Sequence, residues 1–543
     1  EHDEELISRG ENSSSYAEIY ATALKEKWCI KVVEVDENCV QVENFTYDVV
    51  SNKIYSRDII SLHIGQAGVQ IGNAMWELIC LEHGITEDGD STEASRMFGV
   101  NTESFFLRSH TGKYIPRSLF VDLEPTVIDE IRTSYVRNLY HPNRLITGPE
   151  DAASNFARGF FTIGKLLLDK VNREMRKLFE ASDCVQGFMI LRSLGGGTGS
   201  GLTSAVFDGL SEFPKIPKIE IPIYPSPTLS TSTVEPYNSI LAEHFCIEDV
   251  DVGLLFDNEA MYEICSNYLS ISLPTHASIN RLIAQVCSSI TASMRFENVL
   301  SCELTVLTTN LVPYPRIHFP LCNFAPIFPV EKALCEALTV EQITRFVFER
   351  ENQLMKIDTT YGRYMSCALF YRGSISPKEI YSALMEIKRS KSIEFVDWCP
   401  TGFKVGINCS SPMTVPVSKL ASTNVNVAML TNSSAIGQSW QRLCHKFYLL
   451  YSKRSFLHWF VGEGMDECEF TEALYNISTL VKDYEEVAMD SPKFESETKT
   501  VQNESQINQN NIQCDSKNNN TKPSSTDEPC QCQRCILWKS SCF

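Results

Sequence analysis

Five glycines fall within the seven residues Gly195-Gly196-Gly197-Thr198-Gly199-Ser200-Gly201, just after an apolar run that ends near Leu191. Without Cβ atoms, such a stretch approaches an anion closely and turns its N–H groups inward as a nest. The run before it reads as a strand and the run from Leu202 as a helix. That helix N-terminus adds free donors and a favourable dipole, which suits a di- or triphosphate. Ser193 and Thr198 can add hydroxyl donors. No Lys follows the glycines, so this is not the Lys-bearing phosphate loop.

Two further stretches carry compatible chemistry. Gly65-Gln66-Ala67-Gly68 reads as a loop between a strand and a helix whose apolar Ile71, Ala74, Met75 and Leu78 recur at helical spacing. The Gln66 amide can donate to a phosphate or hold a metal-bound water. Asp122-Leu123-Glu124-Pro125 places two carboxylates just past a strand. Beside a polyphosphate, such a pair suits a Mg²⁺ that stays partly hydrated.

Elements that would position these groups alternate along the centre of the chain. Ile59–His63, Ser118–Val121, Val185–Leu191 and Ile219–Ile223 read as strands, and Val69–Leu81, Asn155–Leu178 and Leu202–Phe213 as helices. Strand alternating with helix predicts an α/β fold, a mostly parallel sheet covered on both faces. Ligands of such sheets sit at the carboxyl ends of the strands, where all three motifs fall.

The 543 residues are 43% apolar and 21% charged, which places most of the chain among globular proteins. A net charge of −20 argues against nucleic acid as a partner. No run approaches the length of an apolar membrane span. Most of the 20 cysteines are scattered singly through apolar stretches and read as reduced and buried. Residues 1–56 carry a net −7 and residues 492–543 a net of zero, which marks two appendages on a centre of −13. In the first, Tyr16 to Trp28 reads as a helix, and Lys31 to Val42 alternates about a turn at Asp36-Glu37-Asn38. Residues 492–543 read as a disordered polar tail, with too little apolar surface to offset ordering. The tail ends in Cys530, Cys532, Cys535 and Cys542, a spacing open to zinc, to acylation or to misassignment of the gene end.

From residue 57 to 491 the chain resembles the tubulin family, and within it the alpha chain. Besides the glycine loop it carries Val121-Asp122-Leu123-Glu124-Pro125-Thr126, Val234-Glu235-Pro236-Tyr237-Asn238 and Leu311-Val312-Pro313-Tyr314-Pro315-Arg316-Ile317-His318-Phe319. Phe395-Val396-Asp397-Trp398-Cys399-Pro400-Thr401-Gly402, His458-Trp459 and Gly462-Glu463-Gly464 follow in order. Leu81-Glu82-His83, Thr126-Val127 and Lys482-Asp483-Tyr484-Glu485-Glu486 point to the alpha chain.

The resemblance implies a Rossmann-like GTPase domain over 57–257, a core helix and α+β intermediate domain over 258–433, and paired C-terminal helices over 434–491. It implies GTP and Mg²⁺ as cofactors. Gln66, Glu124, Ser193, Gly197, Thr198 and Thr231 would contact phosphates, magnesium or sugar, with Glu124 serving the metal. Glu235 would lie near the ribose, and Asn258 and Asn280 would read the guanine edge. Beta-tubulin is the implied partner, in head-to-tail microtubules of the cytoplasm. A regulator that pairs with beta-tubulin without polymerising is the alternative, because both termini are altered.

Several positions depart from the family. Val306 stands where the alpha chain has a Glu that serves the neighbouring beta subunit's GTP, and valine cannot orient or activate a water. Positioned acid–base groups are worth about 10²–10⁴ in rate, so the chain's standing as a GTP hydrolase is open. Glu303, three residues earlier and about 60° off the same helical face, is the candidate substitute. His276 replaces a Tyr that stacks on guanine, and Ser154 replaces a phosphate-side Asn. The loop Thr86 to Glu103 has Arg96 and no lysine, and no acidic run follows Met489.

Overall fold

The computed structural model describes residues 30–36, 39–44, 57–92, 101–296, 298–300, 303–333, 338–390, 393–399, 402–416 and 418–489. These belong to one compact unit that ends at Met489. The expected helix at Tyr16–Trp28, the turn residues Glu37 and Asn38, Arg96, the polar tail and its cysteines lie outside them. The alternating stretch near the start forms an antiparallel hairpin, Ile30–Asp36 with Cys39–Asn44.

A parallel sheet follows. Its strands are β1 (Arg57–Ile64), β2 (Ser118–Asp122), β3 (Leu145–Thr147), β4 (Cys184–Ser193), β5 (Lys218–Tyr224), β6 (Val252–Gly253) and β7 (Phe256–Asp257). The order is β6-β5-β4-β1-β2-β3, with β7 also on β5, and every neighbouring pair is parallel. The chain runs outward from β1 to β3, then returns to lay β4 on the other side of β1. The connections after β1 and β4 therefore leave in opposite directions. Such a switch point opens a crevice at the carboxyl edge.

Alternate residues of each strand feed two cores, as pleating requires. Ile60, Leu62 and Ile64 of β1 pack with α3 (Ile163–Glu180) and α4 (Thr203–Leu210). Ile59 of β1 and Met189 and Leu191 of β4 face the other way. They meet α1 (Gly65–His83), α2 (Pro125–Thr133) and the long helix α7 (His276–Arg295), which follows α5 (Glu235–Cys246) and α6 (Asn258–Asn267). From Leu282 to Ala292 every side chain of α7 is buried. The helix is enclosed on all sides over this stretch, its buried Ser289 and Thr291 hydroxyls donating to carbonyls one turn back, and each buried leucine or isoleucine contributes about 1.5–3 kcal/mol.

On its other side α7 meets a mixed sheet. This comprises β8 (Asn298–Leu300), β9 (Leu321–Ala325), β10 (Tyr364–Gly373), β11 (Phe403–Asn408) and β12 (Val425–Ser433), in the order β8-β11-β10-β12-β9. The short helix α8 (Leu304–Leu311) lies between β8 and β9 in the chain; α9 (Val340–Val347) and α10 (Pro377–Ser390) accompany the sheet. Then come α11 (Ile436–Ser452), α12 (Leu457–Gly462) and α13 (Glu467–Ala488). Trp440 and Phe447 of α11 and Phe470, Ile477 and Tyr484 of α13 form one core with Tyr237, Ile240 and Leu241 of α5. The parallel α/β domain, core helix, mixed sheet and terminal helices are thus all present.

Three local expectations need correction. Gly65-Gln66-Ala67-Gly68 is not a loop: β1 ends at Ile64 and α1 begins at Gly65. This abrupt turn needs Gly65, whose φ is 75° and whose Cβ would stand 3.0 Å from the Gly199 nitrogen. The helices expected from Asn155 and from Leu202 carry widened i→i+5 turns near their starts, Arg158–Thr162 and Thr198–Leu202. The two turns lean on each other so closely that a Cβ on Gly201 would meet the Phe156 carbonyl at 2.2 Å. Such bulges recur at functional sites. Lastly, Glu303 is the extended residue before α8, with φ −85° and ψ 165°. The helical angle assumed between it and Val306 does not apply.

Candidate functional site

Adjacent parallel strands β4, β1 and β2 deliver three motifs to one sheet edge, at strand spacings of about 4.8 Å. Ser193 is the last residue of β4, Gln66 stands in the first turn of α1, and Asp122 ends β2. Beyond Ser193, the N–H groups of Gly195, Gly196 and Gly197 donate to no protein acceptor among the described residues. Three consecutive open donors at the start of a helical turn are an anion nest. Thr198 is buried at the mouth of that turn, and the Ser193 hydroxyl lies inside it, 3.2 Å from where a Cβ on Gly196 would stand.

The loop after β3 folds down onto the nest. Ala153 and Ser154 adopt left-handed backbone, with φ of 48° and 53°. This turns the chain so that a Cβ on Gly197 would lie 2.6 Å from the Asn155 nitrogen and 2.8 Å from the Ala152 methyl.

At the end of β2, Asp122 is buried; one carboxylate oxygen accepts the Glu124 N–H at 3.3 Å. Its other oxygen has no hydrogen-bond partner among the described residues. Burial, with Glu124 and Asp151 nearby, pushes the Asp122 carboxyl up to about 7. Glu124 is half-buried, precedes α2 and accepts the Thr126 hydroxyl at 2.5 Å. An orphaned buried carboxylate oxygen beside a second carboxylate is a donor set that fits Mg²⁺ kept partly hydrated. Among the described residues no group of three or more His, Cys, Asp and Glu stands as a metal cluster. Asp122 and Glu124 are the two carboxylates at the end of β2 that could serve as oxygen ligands.

Glu235 opens α5 and touches the nest, since a Cβ on Gly195 would stand 3.0 Å from its Cγ. Its carboxylate accepts the Ser230 hydroxyl at 2.8 Å and, from Thr231, the N–H at 3.0 Å and the hydroxyl at 2.5 Å. Thr231 is thus held by Glu235 at the rim. One turn along α5, Asn238 is fully buried. Its Nδ2 donates to the carbonyls of Gly195 at 2.9 Å and Ser154 at 2.7 Å, and its Oδ1 accepts the Phe156 N–H at 3.1 Å. Asn238 ties the glycine loop to the loop that covers it, a role the sequence reading did not assign. Its spacing of three residues from Glu235, on one helical face, was the available signal.

Asn258 and Asn280 lie farther round, on α6 and α7. Each is half-buried, and neither side chain makes a protein hydrogen bond among the described residues. The two helices meet one turn after Asn258 and one turn before Asn280, where the Tyr262 hydroxyl lies 3.5 Å from Nδ1 of His276 and the rings meet edge to face. His276 therefore already engages a tyrosine from the facing helix.

Val306 is placed apart from all of these. It is half-buried on α8, against a core that includes Leu304, Leu307 and Leu311. This helix sits at the amino end of β4: Leu304 crowds Gly187, and Gln186 donates to Glu303 at 3.3 Å. The glycine loop leaves the carboxyl end of the same strand, roughly 20 Å away at 3.3 Å per residue. Val306 cannot reach this chain's own nest.

Two family descriptions match the chain. The GTPase domain of the Tubulin/FtsZ family matches residues 58–266, and the tubulin C-terminal domain matches residues 315–445. The first spans the parallel sheet with its glycine loop; the second spans β9 to β12 of the mixed sheet and the start of α11.

Proposed function

The chain belongs to the tubulin family, and from that premise we propose that it is an alpha-type, GTP-binding structural subunit that pairs with beta-tubulin and enters head-to-tail polymers. The observation that carries the GTP reading is the nest of open N–H groups at the switch point, flanked by Ser193, Thr198 and Gln66. In this reading these groups and Gly197 hold the phosphates. Thr231 and Glu235 bound the sugar, and Asn258 and Asn280 offer the guanine edge both donor and acceptor. Asp122 and Glu124 hold Mg²⁺, which supplies positive charge against the phosphate oxygens.

Polymerisation gains support from the opposite poles of the sheet. With the nest at one end and α8 at the other, head-to-tail stacking brings one chain's α8 to a neighbour's nest, and such heterologous contacts are open-ended. Near the nest, Trp459 and Phe456 are exposed, and the Trp459 carbonyl accepts Asn155 Nδ2 at 3.1 Å. An apolar rim of this kind suits burial by a partner. The family's setting places such a subunit in the cytoplasmic cytoskeleton, and no helix among the described residues is long and apolar enough to cross a membrane.

Nucleotide extracted from purified heterodimer, together with co-sedimentation in assembled microtubules, tests the proposal. Bound GTP that added GDP does not displace, with the chain in the pellet, is the expected result. Absence of GTP defeats the nucleotide reading. A heterodimer that stays in the supernatant defeats the polymer reading.

A further inference from the structure

Beneath the glycine loop three fully buried charged side chains meet. Arg192 of β4 donates from Nε to Glu220 of β5, and its guanidinium lies 3.9 Å from Glu243 of α5. It also stands over the Phe207 ring, 5.8 Å from the centroid. The set is under-satisfied: both terminal nitrogens of Arg192, one oxygen of Glu220 and both oxygens of Glu243 lack hydrogen-bond partners among the described residues. Two carboxylates against one guanidinium leave one negative charge uncompensated when both are ionised, and burial makes that costly.

The cluster touches the loop from both ends. Arg192 immediately precedes Ser193. From the far side, Cys246, one turn beyond Glu243, lies 3.4 Å from the Ser204 hydroxyl. Ser204 donates to the Ser200 carbonyl at 2.9 Å, and the Ser200 hydroxyl donates to the Gly196 carbonyl. Helix α5 itself begins at Glu235 and carries Asn238, both bonded to the rim of the nest. These contacts connect the Glu243–Arg192 pair to Ser193, Gly196 and Gly195.

Building on the GTP-binding reading, we infer that Glu243 is a positioning residue that couples one buried proton to the grip of the glycine loop on its nucleotide. With the proton in place, Arg192 pairs with Glu220 alone and the buried charges balance. When the proton leaves, Glu243 competes for the guanidinium, and an extra negative charge lies behind the site of a polyphosphate. Burial pushes Glu243 up to about 8, with Glu220 adding to the rise and Arg192 opposing it. The other titratable groups that face it stay protonated there. Burial lifts the Cys246 thiol to about 12 and raises the Tyr484 phenol of α13. Helix α4 places the Ser204 hydroxyl against Cys246 and the Phe207 ring against Arg192.

The test compares full-length heterodimer carrying the natural chain with the Glu243→Gln form, loaded with radiolabelled GTP. Release from the natural chain is expected to quicken roughly fivefold between pH 7 and 9, the scale of one added charge near a polyphosphate at an effective dielectric of about 20. Glu243→Gln should hold one slow rate across that range. A flat profile for the natural chain, or the same rise in Glu243→Gln, overturns the inference. Infrared difference spectra of the natural chain between the two pH values give a readout that does not need nucleotide. Loss of a protonated-carboxyl stretch that Glu243→Gln lacks supports the proton site, and no such loss overturns it. A heterodimer that holds no GTP at any pH would sink the GTP-binding reading, while the infrared comparison still decides on the proton.

Discussion

Asn238 and Gly195 are joined by a 2.9 Å hydrogen bond, and the same amide nitrogen reaches the Ser154 carbonyl at 2.7 Å. One buried side chain thereby fixes the glycine loop and its cover together. Asn238→Ala leaves both carbonyls and the Phe156 N–H without that partner, and each buried polar group so stranded costs about 1–3 kcal/mol. Nucleotide retention by the purified heterodimer should fall by at least about tenfold while far-ultraviolet circular dichroism is unchanged. Asn238→Asp keeps the acceptor for Phe156 but loses the donor and adds a negative charge, so it should retain less GTP than Asn238→Ala. The reverse ranking would show that Asn238 does not act on the loop.

Gly197 and Gly196 separate close packing from general softness of the loop. A methyl at Gly197 meets the Asn155 nitrogen at 2.6 Å and the Ala152 methyl at 2.8 Å, whereas one at Gly196 meets only the Ser193 hydroxyl, at 3.2 Å. Overpacking costs about 1–3 kcal/mol. Gly197→Ala should therefore push the cover away and lower GTP affinity roughly tenfold or more, with Gly196→Ala distinctly milder. Equal losses in the two variants, measured by equilibrium dialysis, would refute the cover.

Glu82 makes an acid-stability prediction. It is buried between α1, α7 and β10, where Arg295 pairs with it at 2.6 Å, Arg372 at 2.9 Å and the Ser288 hydroxyl at 2.7 Å. Burial opposes its charge, but the two arginines and the serine outweigh that and hold the carboxyl down at about 2, from an ordinary 4.5. A carboxyl lowered in the folded state adds stability that is fully present above about pH 4.5 and is lost as pH falls toward 2. The scale is about 3 kcal/mol. Glu82→Gln should lower the thermal midpoint at pH 7 and flatten its dependence on pH between 4.5 and 2. An unchanged slope there would assign the acid transition to other groups.

Four of the parallel strands, β1, β2, β4 and β5, were readable because each is a short apolar run bounded by turn chemistry, whereas β3, β6 and β7 are only two or three residues long and carry no such pattern. The nest was readable because its residues are contiguous from Ser193 to Gly201. What escaped depends on segments far apart in the chain. Asn238 acts only because the loop at 154–156 folds back onto α5. Arg192, Glu220 and Glu243 look like separate surface charges until β4, β5 and α5 stack. Gln66 was expected in a loop because four small or polar residues look like a turn, yet Gly65 alone turns the chain and the helix starts at once. Glu303 was misplaced for the converse reason: a residue one step before a helix has no helical face.

Val306 carries the remaining prediction. Its helix lies at the pole of the sheet opposite the nest, so in the head-to-tail polymer proposed above this helix would meet the nucleotide of the neighbour, not its own. Valine offers that neighbour neither an acceptor nor a base, while Leu304, Leu307 and Leu311 still seat the helix on the core. Docking is kept and the chemistry is removed. Loss of a positioned acid–base group costs about 10²–10⁴ in rate. Polymers built with this subunit should therefore retain GTP in the partner's site and disassemble slowly. Glu303, three residues before Val306, accepts a hydrogen bond from Gln186 on β4, which directs it back to its own sheet. Glu303→Ala should therefore change little, and Val306→Glu should restore phosphate release and fast disassembly. Phosphate released per heterodimer during assembly measures all three. Ordinary release from the natural chain would defeat the prediction, and its disappearance in Glu303→Ala would show that Glu303 leaves Gln186 to serve the neighbour's water.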